Sequence, residues 1–262
     1  MRPILFKQRT VWWPTGCGWC FLLLPPFLFA AFWVFWGEAF LSVTRRTAAD
    51  TLIVEGWIGR EALPVAKKEF ERGGYERLVV TGGPNGPSWV ENRWNVALAG
   101  KKELLRMGFP PDKLLVATSE GVENQRTYTY ASSARQTIEA AGLHPKRINV
   151  ISRGAHARRT QLVYSKVFGP EFKVGIISWN PYGPNSGMWW HSSVRAKELL
   201  EETFGFTFEA FFSSGRSDET LKGHLAIFGV MAVLVVLLIR RLRIHSRTDK
   251  YPLVIDVPSS SN

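Results

Sequence analysis

Hydrophobic and polar positions divide this chain into three regimes. From Thr10 to Gly37 there is no charged side chain, and from Gly223 to Ile239 there is none either, with His224 taken as neutral. Between these stretches, short aliphatic runs alternate with segments whose apolar residues recur every three or four positions. A bilayer span needs about 20 apolar residues, with a lower bound near 17. The pattern therefore predicts a first membrane helix over about Cys17–Trp36 and a shorter one over Gly223–Ile239. Trp12, Trp13, Trp19, Trp33 and Trp36 lie in or near the first, where indole rings suit the membrane–water boundary. Pro25 and Pro26 should kink it, because each removes an amide donor from the helix ladder.

The middle of the chain reads as repeated strand–helix units. Strands are predicted over 51–55, 77–81, 113–117, 147–151 and 173–177. Helices are predicted over 60–72, 94–107, 128–141, 156–168 and about 192–204, with Gly73-Gly74, Gly108 and Gly142 as stop signals. Strands that alternate with helices argue an α/β fold, a parallel sheet of about five strands with helices on both faces. In such sheets ligands sit outside the carboxyl ends of the strands. Five loops then matter: 55–60, 82–91, 119–127, 152–159 and 178–193.

Charge sharpens this picture. The formal net charge is +11 over 262 residues, and the two ends are the most biased parts for their length. Arg2, Lys7 and Arg9 precede the first apolar stretch, while Arg240, Arg241, Arg243 and Arg247 follow the second. The positive-inside rule places both ends in the cytoplasm and the middle on the outer side. The expected organisation is a cytoplasmic N-terminus with the first membrane helix over 1–43, an extracytoplasmic α/β domain over 44–221, a second membrane helix over 222–240 and a basic, disordered tail over 241–262. The expected location is the plasma (inner) membrane, with no nucleic-acid partner. A cleaved signal peptide is the alternative for the first stretch. The only cysteines, Cys17 and Cys20, have redox or metal spacing but lie at the start of an apolar helix with no strand–helix context, which reads as two small membrane residues. No metal site is expected, and no cofactor is named by any motif.

Two loops hold the chemistry. Thr81-Gly82-Gly83-Pro84 follows a strand with little side-chain bulk, so its amides can cradle an anion; a plain tight turn is the alternative. Ser152–Arg159 follows a strand and opens a helix, and it contains Arg153, His156, Arg158 and Arg159. Positive charge at a helix N-terminus opposes the dipole unless an anion is bound. His156 and Arg159 share one helical face and suit phosphate or carboxylate; the alternative is that these cations face solvent or pair with Glu120 and Glu123. Glu91 is the candidate acid/base, with His156 as a second catalytic candidate. Trp189 and Trp190 can stack a sugar or base, or pack in a core or a membrane-facing belt. No nucleophile elbow, zinc-protease motif or dinucleotide fingerprint occurs.

The order of these features resembles the SanA/ElyC/YdcF-like family of bacterial envelope proteins. The matching pieces are Ala49–Gly56, Val80-Thr81-Gly82-Gly83, Arg126-Thr127, Val150–Ser152 with His156 and Arg159, and Glu202 with Gly205. The segment Arg126–Ala131 departs from the family pattern, keeping only Thr127 and Ala131 of it. The resemblance implies a three-layer Rossmann-like fold and work in the cell envelope: barrier function, cell wall biogenesis or handling of a lipid carrier. Together with the loops it gives an expected ligand set of Gly82, Gly83, Arg126, Thr127, His156 and Arg159 for a phosphorylated envelope precursor, a lipid carrier or sugar-phosphate. The competing expectation is a non-catalytic, membrane-anchored interaction or assembly domain.

Overall fold

The computed structural model describes residues 14–86, 93–121, 125–183 and 186–212. The expected second span over Gly223–Ile239 and the tail lie outside the described residues. Among the described residues, helix α1 and the layers that follow it as far as Ala210 fall in one compact unit.

Helix α1 spans Gly16–Leu41 and runs on through Pro25 and Pro26. Thr15 caps it by accepting from the Gly18 amide at 3.2 Å. It extends about one turn beyond the uncharged stretch because Leu41 and Gly37 are buried against the domain. Among the described residues it is the one helix long and apolar enough to cross a membrane, and its most apolar window is not buried. A signal sequence passes the same test of length and composition.

Residues 42–50 lead from α1 to the sheet. Arg45 makes both backbone hydrogen bonds with Ile176, at 2.7 and 2.9 Å. Thr47 is held at both backbone groups by the Asn149 side-chain amide, at 2.9 and 2.8 Å.

The sheet has five parallel strands: β1 (Thr51–Glu55), β2 (Arg77–Gly82), β3 (Leu114–Thr118), β4 (Arg147–Arg153) and β5 (Lys173–Trp179). Their order is β3-β2-β1-β4-β5. Every β1 residue is buried, as expected for a strand covered on both faces. Leu52 and Val54 pack with α2 (Ala62–Gly73) and α3 (Val96–Arg106). Ile53 packs on the opposite face with α4 (Arg126–Ala140) and α5 (Ala157–Phe168). This is the expected Rossmann-like α/β sheet. The helices end where the glycines predict: Gly74 and Gly142 adopt φ of 69° and 68°, in the left-handed region a side chain disfavours. The last helix, α6, spans Ser193–Phe212 and so continues past its expected end near residue 204. Gly205 does not stop it, because the missing side chain makes room for Arg159, whose Nε lies 2.9 Å from where a Cβ would stand.

Candidate functional site

The strand order reverses between β1 and β4, which places the carboxyl ends of these strands at the topological switch point. Polar residues stand at the carboxyl ends of both strands, Glu55 as the last residue of β1 and Ser152 as the last but one of β4, and the fold brings them together. Ser152 Oγ donates to Glu55 Oε2 at 2.6 Å, and Thr160 Oγ1 lies 3.0 Å from Ser152 Oγ and 3.4 Å from the same carboxylate oxygen. Glu55, Ser152 and Thr160 are fully buried. Among the described residues, Glu55 Oε1 and the Tyr164 hydroxyl, also buried, have no hydrogen-bond partner. Burial pushes the Tyr164 phenol well above its ordinary range, and the Glu55 charge pushes the same way. Sequence reasoning missed this cluster. The signal was a carboxylate closing an otherwise aliphatic strand.

The basic loop after β4 forms a short 3-10 turn, Gly154–His156, that runs into α5. Its cations bind inward. Arg159 forks onto Glu202 of α6, with Nε and Nη2 each 2.8 Å from a carboxylate oxygen. His156 Nδ1 lies 2.9 Å from Glu202 Oε1 and 2.9 Å from Arg159 Nη2. Its Nε2 lies 3.4 Å from the Thr127 hydroxyl, which can donate or accept as the ring requires. Trp57 meets the imidazole edge-on, with centroids 5.0 Å apart. Arg153 pairs with Glu198 at 2.6 Å. Arg158 lies over the Phe40 ring at 3.8 Å and donates to the Phe40 carbonyl.

The partners of the basic loop are therefore α6 carboxylates and an α1 aromatic ring; Glu120 does not supply them, and Glu123 lies outside the described residues. The α6 carboxylates offset the charge that the α5 dipole opposes. Burial alone would raise the Glu202 carboxyl, but the His156 charge and the hydrogen bonds from His156 and Arg159 outweigh it and hold it at about 2. Burial works to lower Arg159, and Glu202 outweighs it and keeps this guanidinium above its ordinary value. Glu198, Glu202 and Glu209 recur at helical spacing, and that periodicity was the available signal for a carboxylate face.

The glycine turn has a packing explanation. A Cβ on Gly82 would stand 2.3 Å from Val96 Cγ2, and one on Gly83 would stand 2.9 Å from Ser119 Oγ. Gly56 likewise faces the Val96 carbonyl at 2.8 Å. These glycines let the ends of β1 and β2 close against the first turn of α3. Beside this turn, Arg126 opens α4 and is exposed. Burial raises the Tyr130 phenol, while the nearby Arg126 charge and Gly83 amide act against that rise. Among the described residues neither Arg126 nor Arg93 has a carboxylate partner.

The expected ligand set thus falls into two groups. Thr127, His156 and Arg159 form a packed cluster around Glu202, while Gly82, Gly83 and Arg126 border the open side of the turn. Glu91 lies outside the described residues, as does Asn124. Trp189 donates from Nε1 to the Val34 carbonyl at 2.8 Å, and Trp190 meets Phe35 edge-on at 5.9 Å. Both tryptophans therefore pack on α1. A cavity of about 400 Å³, lined in part by Arg135, Glu139, His144, Lys146 and Phe172, lies at the opposite, amino end of the strands. No family model matches the chain, and no curated protein matches it.

Proposed function

We propose that this chain is a membrane-anchored cell-envelope biogenesis protein whose α/β domain binds a phosphorylated ligand, a lipid carrier or sugar-phosphate, at the carboxyl edge of its sheet. The observation behind this reading is Arg126: an exposed guanidinium at the first turn of α4, beside the Gly83 turn, with no carboxylate partner among the described residues. Phosphate suits such a group, because a guanidinium presents paired donors to its oxygens. The His156–Glu202–Arg159 cluster then serves as framework, holding Thr127 and with it the start of α4.

The anchor reading rests on how α1 meets the domain. Glu38 is bound by Arg195, Trp33 Nε1 donates to Thr203 at 3.0 Å, and Phe40 lies beneath Arg158. A helix fastened in this way is part of the fold, and its removal would expose the surfaces it covers. The resemblance to the SanA/ElyC/YdcF-like family, carried by motif order, supports the same cellular setting.

The test uses the full chain in nanodiscs, with binding of a polyprenyl phosphate, a nucleotide-sugar and inorganic pyrophosphate measured separately. The expected result is affinity for at least one of these that Arg126→Ala removes. Equal affinity in Arg126→Ala overturns the site. Absence of binding by all three favours the second reading, a non-catalytic assembly domain. That reading has its own observation: Arg153, His156 and Arg159 each pair with an α6 carboxylate, and Arg158 lies on the Phe40 ring.

A further inference from the structure

Most guanidinium groups around the junction of α1 with the domain are matched. Arg46, Arg153, Arg159 and Arg195 each meet a carboxylate. Arg45 and Arg158 share one corner of that junction, and among the described residues neither has a carboxylate partner.

Three elements build the corner. The last turn of α1 presents the Phe40 ring and carbonyl to Arg158, which stands in the first turn of α5. The segment after α1 carries Arg45 onto the open side of β5, where its backbone pairs with Ile176. Gln161, three residues after Arg158 and on the same face of α5, donates to the Val174 carbonyl at 3.0 Å. Val174 and Ile176 are two apart in one strand, so their backbone groups point to the same side of it. The two arginines are thereby held near each other, Arg45 exposed and Arg158 half-buried. Burial lowers the Arg158 guanidinium from its ordinary value, and the Arg45 charge pushes the same way. The dipole of α5 opposes a cation in its first turn as well. An anion between the two groups would relieve all three costs.

The corner also has a definite depth. Phe40 stands four residues beyond Trp36 on α1, about 6 Å along the helix axis. An exposed indole near the end of a membrane helix marks the membrane–water boundary, and Trp36 is exposed. The headgroup layer beyond that boundary is about 5–8 Å thick. A guanidinium resting on Phe40 therefore lies among the headgroups when α1 spans a bilayer.

We infer that Arg45 and Arg158 form a binding site for the phosphate of an anionic phospholipid headgroup, in the leaflet that faces the domain. Arg158 spends its Nε on the Phe40 carbonyl, and its Nη groups have no acceptor among the described residues. Paired guanidinium donors match phosphate oxygens. The source is lipid because the pair sits where α1 leaves the membrane, at the level of the lipid phosphates. The inference rests on α1 as a membrane helix and is independent of the Arg126 site at the start of α4. A phosphate held between the end of α1 and the first turn of α5 would fix the height of the domain above the bilayer.

The test uses the full chain in nanodiscs of equal parts phosphatidylglycerol and phosphatidylcholine. Native mass spectrometry counts the lipids that stay on the ejected protein. Phosphatidylcholine carries the same phosphate with a cation beside it, which the guanidinium pair repels. The expected result is retention of phosphatidylglycerol over phosphatidylcholine, a preference lowered about fivefold by Arg45→Gln and again by Arg158→Gln, and left unchanged by Lys102→Gln on α3. The Arg45 side chain is exposed, so Arg45→Gln should unfold at the parent's temperature. Equal retention of the two lipids by the parent overturns the proposal, as does a preference that Arg45→Gln leaves intact. Displacement of phosphatidylglycerol by millimolar inorganic phosphate would assign the pair to a free anion and overturn the lipid assignment. Discs of phosphatidylcholine alone separate this from the anchor reading. A chain that leaves those discs refutes the α1 anchor and the lipid site together, whereas a chain that stays in them and shows no preference refutes the lipid site alone.

Discussion

Ser152 reaches across the strand-order reversal to donate to Glu55 at 2.6 Å, which makes a buried carboxylate the hub of the carboxyl edge. No cation contacts Glu55 among the described residues, and one of its oxygens has no partner. Burying a charge on hydroxyl partners alone is costly. Glu55→Gln, which keeps the shape and removes the charge, should leave thermal stability equal or higher. Glu55→Ala should lower it by about 2–4 kcal/mol through the lost acceptor and the emptied volume. Unfolding of the two variants in detergent checks this, and equal losses would show that the charge itself is required.

Glu202 gives a pH dependence. Its carboxyl stands at about 2 in the folded chain against an ordinary value of 4.5. A depressed acid stabilises the fold above its unfolded value, and that stabilisation disappears as pH falls through the folded one. Stability should therefore drop between pH 4.5 and about 2, with about 3 kcal/mol attributable to this group. Glu202→Gln should be less stable at pH 7 and should flatten the acid limb. An unchanged slope between those pH values would remove Glu202 as its source.

Arg195 joins α1 to α6. It forks onto Glu38 at 2.7 Å and donates to the Ser186 and Gly187 carbonyls at 2.9 Å. Truncation leaves the Glu38 carboxylate and two carbonyls without their donor, at a cost of about 1.5–3 kcal/mol, since Glu38 is a third exposed and water can reach it. Arg195→Met should open the linker at residues 42–50 to protease, and Arg195→Lys should recover part of the protection. Cleavage rates equal to the parent would mean that α1 is held by its aromatic contacts alone.

Gly82 separates packing from ligand contact. Gly82→Ala should destabilise, because its Cβ would stand 2.3 Å from a Val96 methyl. Adding Val96→Ala should restore about 1–2 kcal/mol, since a contact that is relieved by its neighbour is non-additive. The double variant then reports on function. Retained phosphate affinity would assign Gly82 to packing, and lost affinity would assign it to the site as well.

Much of the architecture was legible in the chain because each element has a local signature. The β1 run of Leu52, Ile53 and Val54 and the terminal Gly74 each state what they do. The end of α6 was not legible, since Gly205 reads as a breaker until Arg159 is seen beside it. The site was half legible. His156 and Arg159 are three residues apart, so their shared face follows from helix geometry. Their partner lies 43 residues beyond Arg159, and only the tertiary fold puts it there. Glu55 closes a predicted strand and opens a loop, and nothing local marks it as fully buried, since charged side chains seldom are. For α6, periodicity shows which residues share a face and says nothing of which face meets the domain.

The antiparallel pairing of Arg45 with Ile176 bears on how the domain behaves once separated from its helix. Strand β5 is the last in the sheet, and a bare terminal strand invites pairing with another chain. The residues that follow α1 occupy that strand's free hydrogen-bonding groups at Ile176. A fragment that begins at β1 would lose this cover and should self-associate through β5. One that begins at Val43 would keep it, so the short segment between tether and sheet acts as a guard against aggregation.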